Sequence, residues 1–328
     1  MDKKKNNNYE AFIAGLPLER TLEFHSPEDL EATLLAAGVN QPTRQLSEGD
    51  FRAHLAVTET DYAALFSDRY STALSLYLEP PESMVSFLFP RSASGTFFVN
   101  GVDIGNDRLL AFPVRTGTDI SGPGPIGSDC ISIDDGKFWA IADAVCPGLE
   151  RHEGVVIIPG DPKSLHAMRD RLAELVAAPE PGPFSEDVSQ LIADILVWIA
   201  DGHDAWPTES AVTTEARVRV AKRAQDYIEA HYREAVHIED LCRVTSVGAR
   251  TLQRCFREYF HLTVSNYLKV VRLDSARREL AAADRTSTSV TTIAMQNGWN
   301  HLGRFSVDYR EHFGESPRET LAMPTLRL

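Results

Sequence analysis

Two kinds of hydrophobic patterning divide the chain. From about residue 18 to residue 175, apolar residues come in short alternating or continuous runs cut by turn residues. The runs 83–89 (SMVSFLF), 95–99 (GTFFV), 108–113 (RLLAFP) and 154–158 (GVVII) predict strands. Asn100-Gly101 lies between two of them and predicts a hairpin turn, since both residue types tolerate positive φ. The stretch 121–127 (SGPGPIG) predicts a rigid loop, too proline-rich to cradle a phosphate. Helical spacing interrupts the strands at 27–37 and 162–176. The pattern predicts a mostly β, barrel-like domain over residues 16–178, behind a disordered tail at 1–15.

Beyond a break at 179–183 (PEPGP) the period changes to that of a helix. Val188, Leu191, Ile192, Ile195, Leu196 and Ile199 recur on one face of 185–200, with Ser185 placed to cap that helix and Gly202 to end it. Such a stripe can pack on the β domain or form the seam of a homodimer, and the two uses are compatible; residues 184–201 are therefore a candidate dimerisation helix. A polar linker over 202–215 carries Pro207, and helical patterning fills 216–324. The expected fold class is α+β with two domains: a mostly β amino-terminal domain and an all-α carboxy-terminal one.

The helical part contains an internal duplication. Shifted by 53, residues 252–260 (LQRCFREYF) lie over 305–313 (FSVDYREHF), so that Arg-Glu-x-Phe recurs with an aromatic residue before it (Phe256, Tyr309). Each copy reads as a short helix, a tight turn and a second amphipathic helix. In the first, 238–244 precedes a turn at 245–248, where Gly248 is available for unusual backbone angles. Leu252, Cys255, Phe256 and Tyr259 form the inward stripe of the second helix; Arg250, Gln253, Arg254 and Arg257 are left outside. That outer set suits the major groove, because arginine can bond guanine through two atoms and glutamine can do the same with adenine. In the second copy, Gly298-Trp299 makes the turn and Leu302, Gly303, Arg304, Ser306 and Val307 occupy the matching positions. Arg304 is the best donor there, while Leu302 and Val307 are suited to thymine methyls. Between the copies, a helix at about 265–282 buries Leu273, Ala276 and Leu280 and is expected to expose Lys269, Arg272, Arg277 and Arg278. It would set the spacing of two reading helices on adjacent major grooves.

Charge follows the same division. The 328 residues carry −14, but residues 217–328 hold 18 Lys+Arg against 13 Asp+Glu, a net +5, leaving −19 on the remainder. A basic module on an acidic body fits phosphate binding by one half only. No run of about 18 apolar residues predicts a membrane span, and no secretory leader follows the basic start, so a cytoplasmic protein without membrane contact is expected. Cys130, Cys146, Cys242 and Cys255 lack metal-type spacing, and His25, His54, His152 and His166 lack the close grouping of a metal site. No metal, cofactor or catalytic residue is expected.

These features together resemble the AraC/XylS family of bacterial transcription regulators. The marks are 250–256 (RTLQRCF), the connecting helix 267–280 (YLKVVRLDSARREL), and the closing run from Gly298-Trp299 through His312-Phe313-Gly314 to Ser316-Pro317. The resemblance covers about 216–323 and implies a DNA-binding domain with two helix-turn-helix units. It implies base contacts by Arg250, Gln253 and Arg254 in the first unit, and by Leu302, Gly303, Arg304, Ser306 and Val307 in the second. Many relatives carry a polar or basic residue where Val307 stands. Gln45-Leu46-Ser47, Gly49, Phe51-Arg52, 87–90 (FLFP) and 99–101 (VNG) are similar to the ethanolamine-operon-regulator-like branch. That likeness implies an effector-binding, dimerising first domain. The implied partners are an operator in double-stranded DNA, an unidentified small-molecule effector, a second copy of the chain and RNA polymerase, and the implied role is an activator. Phe87, Phe89, Phe97 and Trp139 are suited to an apolar pocket, but core packing explains them more simply. Two other readings remain: an enzyme fused to a DNA-binding module, with Cys146 or Cys130 as nucleophile beside His152 or His166, and an architectural protein that binds DNA with little preference.

Overall fold

A computed structural model describes residues 21–113, 117–149, 151, 154–178, 185–202, 216–283 and 288–322. The chain runs β1 (Thr21–Phe24), α1 (Pro27–Ala36), β2 (Thr43–Gln45), β3 (Ala53–Glu59), β4 (Ala63–Tyr70), β5 (Leu74–Leu78), β6 (Met84–Ser92), β7 (Phe98–Val99), β8 (Val102–Asp103), β9 (Arg108–Phe112), β10 (Thr118–Gly122) and β11 (Ile126–Asp134). It continues through α2 (Asp135–Val145), β12 (Val156–Pro159), α3 (Pro162–Ala177), α4 (Ser185–Gly202), α5 (Ala216–His231), α6 (Ile238–Thr245), α7 (Ala249–Phe260), α8 (Val264–Ala282), α9 (Val290–Gln296), α10 (Leu302–Phe313) and α11 (Pro317–Ala322). The tail at 1–15, nearly all of the 202–215 linker and the Ser185 cap lie outside the described residues and side chains.

The amino-terminal strands form two open antiparallel sheets rather than a barrel. The larger has the order β1-β3-β4-β11-β6-β9-β12 and the smaller β2-β5-β10-β7-β8. Within the large sheet, the first seven residues of β6 are all buried instead of alternating. Such a strand needs cover on both faces. One face of the large sheet packs on the small sheet through Leu55, Phe66, Leu88, Phe97, Phe112 and Ile120. Its other face, with Leu65, Phe87, Phe89, Ile131 and Ile133, is covered by α2, α3 and α4. Phe87, Phe89 and Trp139 belong to this helix-covered core, whereas Phe97 lines a cavity between the sheets.

Local chemistry sets the ends of these elements. Ser26 Oγ accepts the Asp29 amide at 3.2 Å ahead of Pro27, and Asp161 Oδ1 accepts the Ser164 amide at 2.9 Å ahead of Pro162. Asn100 and Gly101, with φ of 49° and 77°, make the turn between β7 and β8. The stretch read as a rigid loop at 121–127 is loop only at its centre; its ends finish β10 and begin β11. In α4, Val188, Leu191, Ile192, Ile195, Leu196 and Ile199 are all buried against the chain's own core. This is the first of the two uses expected for the stripe, and it leaves these side chains unavailable for a seam.

The helical domain is docked on the β domain. Arg44 of β2 reaches Glu229 (2.7 Å), Tyr267 Oη (2.9 Å) and Asp274 (3.4 Å). Arg278 of α8 forks onto Glu31 of α1 at 2.7 and 2.8 Å. Asp119 of β10 accepts from Lys222 and Tyr259, and the rings of Phe98 and His261 lie 4.0 Å apart. Leu46, Ala73 and Val270 form an apolar knot between the domains.

His312 makes this junction sensitive to acid. Its buried Nε2 faces the Gln45 carbonyl at 3.2 Å, so the neutral ring donates there, and Gln45 Nε2 donates back to the His312 carbonyl at 2.7 Å. Burial pushes its imidazole down to about 4; the Gln45 carbonyl and Asp274 oppose the fall, and Lys269 and Arg277 add to it. An unfolded histidine titrates near 6.5, so its stabilising contribution is complete above that pH and is lost as pH falls toward 4. Roughly 2 kcal/mol should be gone by pH 5. Urea unfolding at pH 7 and pH 5 checks this: His312→Gln should show a flatter pH dependence than the parent, and equal slopes would remove His312 as the cause.

Candidate nucleic-acid interface

The first helix-turn-helix is α6 and α7. Leu241, Leu252, Phe256 and Phe260 are buried with Ala224 and Ile228 of α5 and Tyr267 of α8. The Phe256 ring stands edge-on to Tyr267, with centroids 5.2 Å apart. The turn departs from expectation. Ser246, not Gly248, takes the left-handed conformation, with φ of 57°; Gly248 has φ of −72° and caps α7. A left-handed residue must end α6 directly, and Ser246 occupies that place.

Arg250, Thr251, Arg254 and Arg257 project outward from α7. Arg254 is 59 % exposed, and its one ion-pair contact, Glu258, lies 4.0 Å away. Glu258 also meets Arg217 at 3.5 Å. Arg250 and Arg254, both exposed, therefore keep guanidinium donors for a groove. Gln253 differs. It is half-buried, and its Oε1 is buried without a hydrogen bond, which leaves only its amide nitrogen for a partner.

The second unit is α9 and α10. Ser289 Oγ caps α9 by accepting the Thr292 amide at 3.1 Å. Gly298, with φ of +77°, makes the turn; a Cβ there would lie 3.0 Å from Arg272 Nε. Phe305, Tyr309 and Phe313 pack inward with Leu273, Leu280 and Ile293. Leu302, Gly303, Arg304, Ser306 and Val307 are all exposed on one turn and a half of α10. This face is poor in donors. Arg304 holds Asp308 at 2.9 Å through Nε, and the Ser306 hydroxyl donates to the Leu302 carbonyl at 3.1 Å. Leu302 and Val307 stand 37 % and 49 % exposed, an apolar contribution that neighbouring helices do not cover.

The basic exterior expected of α8 is corrected. Arg277 is buried between Glu28 and Glu315, Arg278 holds Glu31 and Asp274, Lys269 is 3.6 Å from Asp308, and Arg272 donates to the carbonyls of Tyr232 and Glu234. The helix is packed on several sides, so its cations join domains and units rather than face solvent. These contacts were hidden from sequence, because a pair such as Arg278 and Glu31 is separated by 247 positions and carries no periodic signal.

The enzyme reading gains nothing from the described residues. Burial pushes the Cys130 thiol up to about 12, against a hydrogen bond from Ser132 that lowers it, and the neighbouring Asp68 and Asp129 raise it further. That is the reverse of an activated nucleophile. His152 lies outside the described residues. Among the described residues no group of three metal-binding side chains forms, and no helix is long and apolar enough to cross a membrane.

The geometry above defines a paired helix-turn-helix domain, and comparison with known proteins places it in a family. A family described as a helix-turn-helix domain matches residues 241–323. The probable thc operon regulatory protein of Rhodococcus erythropolis is 37 % identical over 102 residues, covering 31 % of each chain. A XylDLEGF operon transcriptional activator 2 of Pseudomonas putida is 29 % identical over 106 residues, covering 32 % of this chain and 68 % of that protein. A probable AraC family transcriptional regulator from Rhodopseudomonas palustris, known by crystal structure, is 34 % identical, with 32 % of this chain and 99 % of that one covered and a TM-score of 0.30. The carboxy-terminal domain of this chain belongs to the AraC/XylS family of helix-turn-helix regulators. The match spans about a third of the length of the Rhodococcus protein and leaves the β domain outside it.

Proposed function

We propose that the protein is a sequence-specific DNA-binding transcription regulator, an activator whose two helix-turn-helix units read adjacent major grooves. The observation that carries this is the exposure of both expected reading faces in a folded, domain-docked chain: Arg250 and Arg254 on α7, and Leu302 through Val307 on α10. The first unit supplies most of the hydrogen bonding and the second mainly apolar and shape contacts. The Pseudomonas relative is named a transcriptional activator, which supports activation here. Response to a small molecule is part of the proposal. A cavity of about 70 Å³ lies between the two sheets, walled by apolar residues and a polar patch of Gln41, Asp68, Tyr70 and Ser128. A ligand there would press on Ile120 of β10, the strand of Asp119, and on Leu76 and Leu78 of β5, the strand paired with β2 and its Arg44, and so bias the pose of the reading helices. A homodimer and contact with RNA polymerase complete the reading; the dimer surface lies elsewhere than on the buried stripe of α4.

Genome-wide mapping of bound fragments tests the reading, and it fails if fragments are retained without preference. Arg254→Ala should weaken the mapped site by about 1–3 kcal/mol and relax base choice at one position. Equal weakening on specific and random duplexes would make Arg254 a phosphate contact instead.

A further inference from the structure

Three arginines converge on the helix-covered face of the large sheet, with a single carboxylate among them. Arg69 of β4 and Arg91 of β6 are both cross-strand partners of Gly127 in β11 and so point to the same side of the sheet. Arg169 comes down on them from α3. Asp129, two residues along β11 and 0 % exposed, accepts from Arg69 Nη2 at 3.1 Å, from Arg91 Nε at short range, and from Ser67 Oγ at 2.8 Å. Among the described residues, that leaves Arg169 without a close partner. Its side chain is 15 % exposed, it meets only the surface carboxylate of Asp170 at 4.0 Å, and its Nε is buried with no hydrogen bond. The other acid nearby, Asp68, directs its two oxygens to the Ser128 amide and hydroxyl, at 2.6 and 2.8 Å.

The cluster opens into a groove of about 410 Å³ whose walls include Ser92, Asn106 and Pro125. Asn106 is engaged with the Ser92 backbone at both ends of its amide, and Arg69 gives Nη1 to the Asp68 and Ser128 carbonyls and Nη2 to Asp129, so the donors left for a ligand are on Arg169 and Arg91. Gly127 forms the floor. A Cβ at that position would lie 2.9 Å from Arg69 Cδ and 2.3 Å from the Asp68 carbonyl oxygen, so no side chain can fill the space between the two strands' arginines.

A guanidinium partly withdrawn from water beside two others, with one carboxylate among them, is stabilised when an anion completes the cluster. Burial first and then Arg91 push the Arg169 guanidinium below its ordinary value; Asp170 and Asp129 oppose the fall, and Arg69 adds least to it. Guanidinium forks match the planar, two-oxygen geometry of carboxylates and phosphates. We propose that this groove is a binding site for a small oxyanion, a carboxylate or phosphate group, held by Arg169 and Arg91 over Gly127. The site does not depend on the regulatory reading, and the proline-rich loop beside it supplies no cradle; the side chains do the binding.

The test is calorimetric titration of the full-length protein with inorganic phosphate and, separately, with succinate, at ionic strength fixed by chloride. Saturable binding of phosphate, succinate or both, beyond any effect of chloride, is expected, and which of the two saturates identifies the head group. Arg169→Gln should weaken that binding by about tenfold or more while leaving the thermal midpoint unchanged or higher, since it removes a repelled charge and orphans no acid. Arg169→Lys should fall between, keeping the charge but losing the fork. If neither anion saturates above chloride, or if Arg169→Gln binds as the parent does, the site is refuted.

Discussion

Arg277→Ala should destabilise the protein by about 3–5 kcal/mol, more than any surface change in the helical domain. The guanidinium is 6 % exposed and sits where three elements meet. Its Nε donates to Glu28 of α1 at 3.3 Å, its Nη1 holds Glu315 at short range, and its head lies over the Phe313 ring at 4.9 Å. Truncation would leave two acids facing each other in a site closed to water. Burial already raises the Glu28 carboxyl, with Arg277 as the main opposing charge. Without Arg277 that carboxyl rises further, so the penalty is largest above its titration and shrinks as acid protonates it. The measurement is urea unfolding at pH 7 and pH 5 with and without Arg277→Ala, both in a His312→Gln background, because Arg277 also bears on His312. Glu28→Gln combined with Arg277→Met should recover much of the loss, since it removes one stranded acid and refills the volume. A single-variant cost under about 1 kcal/mol would mean the pair is solvated and holds nothing together.

This junction is also where sequence reading stopped. The elements and buried stripes of the two helix-turn-helix units were legible, because two copies of one amphipathic plan repeat and the family pattern overlies them. Ser289 and Ser316 cap the helices that follow them, and Glu319 completes the second cap by accepting the Ser316 amide at 2.6 Å. In the β domain, strands with continuous apolar runs such as β6, β9 and β12 could be seen. β4 and β11 could not, because they carry Asp68, Arg69 and Asp129 in their interiors, residues that normally mark loops. Those polar residues are tolerated because they pair across neighbouring strands, as Arg69 and Asp129 do, and that pairing exists only after folding. Whether a sheet closes is likewise a property of its edges, not of its strands. Within the reading faces, side-chain direction rather than residue type limited the expectation. Gln253 has the right chemistry but turns its oxygen inward, while Ser306 gives its proton to its own helix.

Phe305→Ala should unfold the second helix-turn-helix while leaving the first intact. Its ring is fully buried, 5.4 Å from Trp299 and 5.5 Å from Tyr309 between centroids. Deleting such an aromatic side chain costs about 3–5 kcal/mol. Where that cost falls depends on how the two cores are joined. Leu252, Phe256, Phe260, Tyr267 and Val271 belong to one cluster; Leu273, Ala276, Leu280, Ile293, Phe305 and Tyr309 belong to another. No side chain is shared. α8 gives its first half to one cluster and its second half to the other, acting as a rod between two separately closed units. Amide hydrogen exchange on Phe305→Ala should therefore show protection lost across Val290–Gln296 and Leu302–Phe313 and kept across Ala249–Phe260. Binding to the mapped DNA should persist, weakened and with base preference surviving only in the half contacted by Arg250 and Arg254. Loss of protection in both units together would show instead that α8 transmits unfolding, and that the domain reads DNA as one cooperative body.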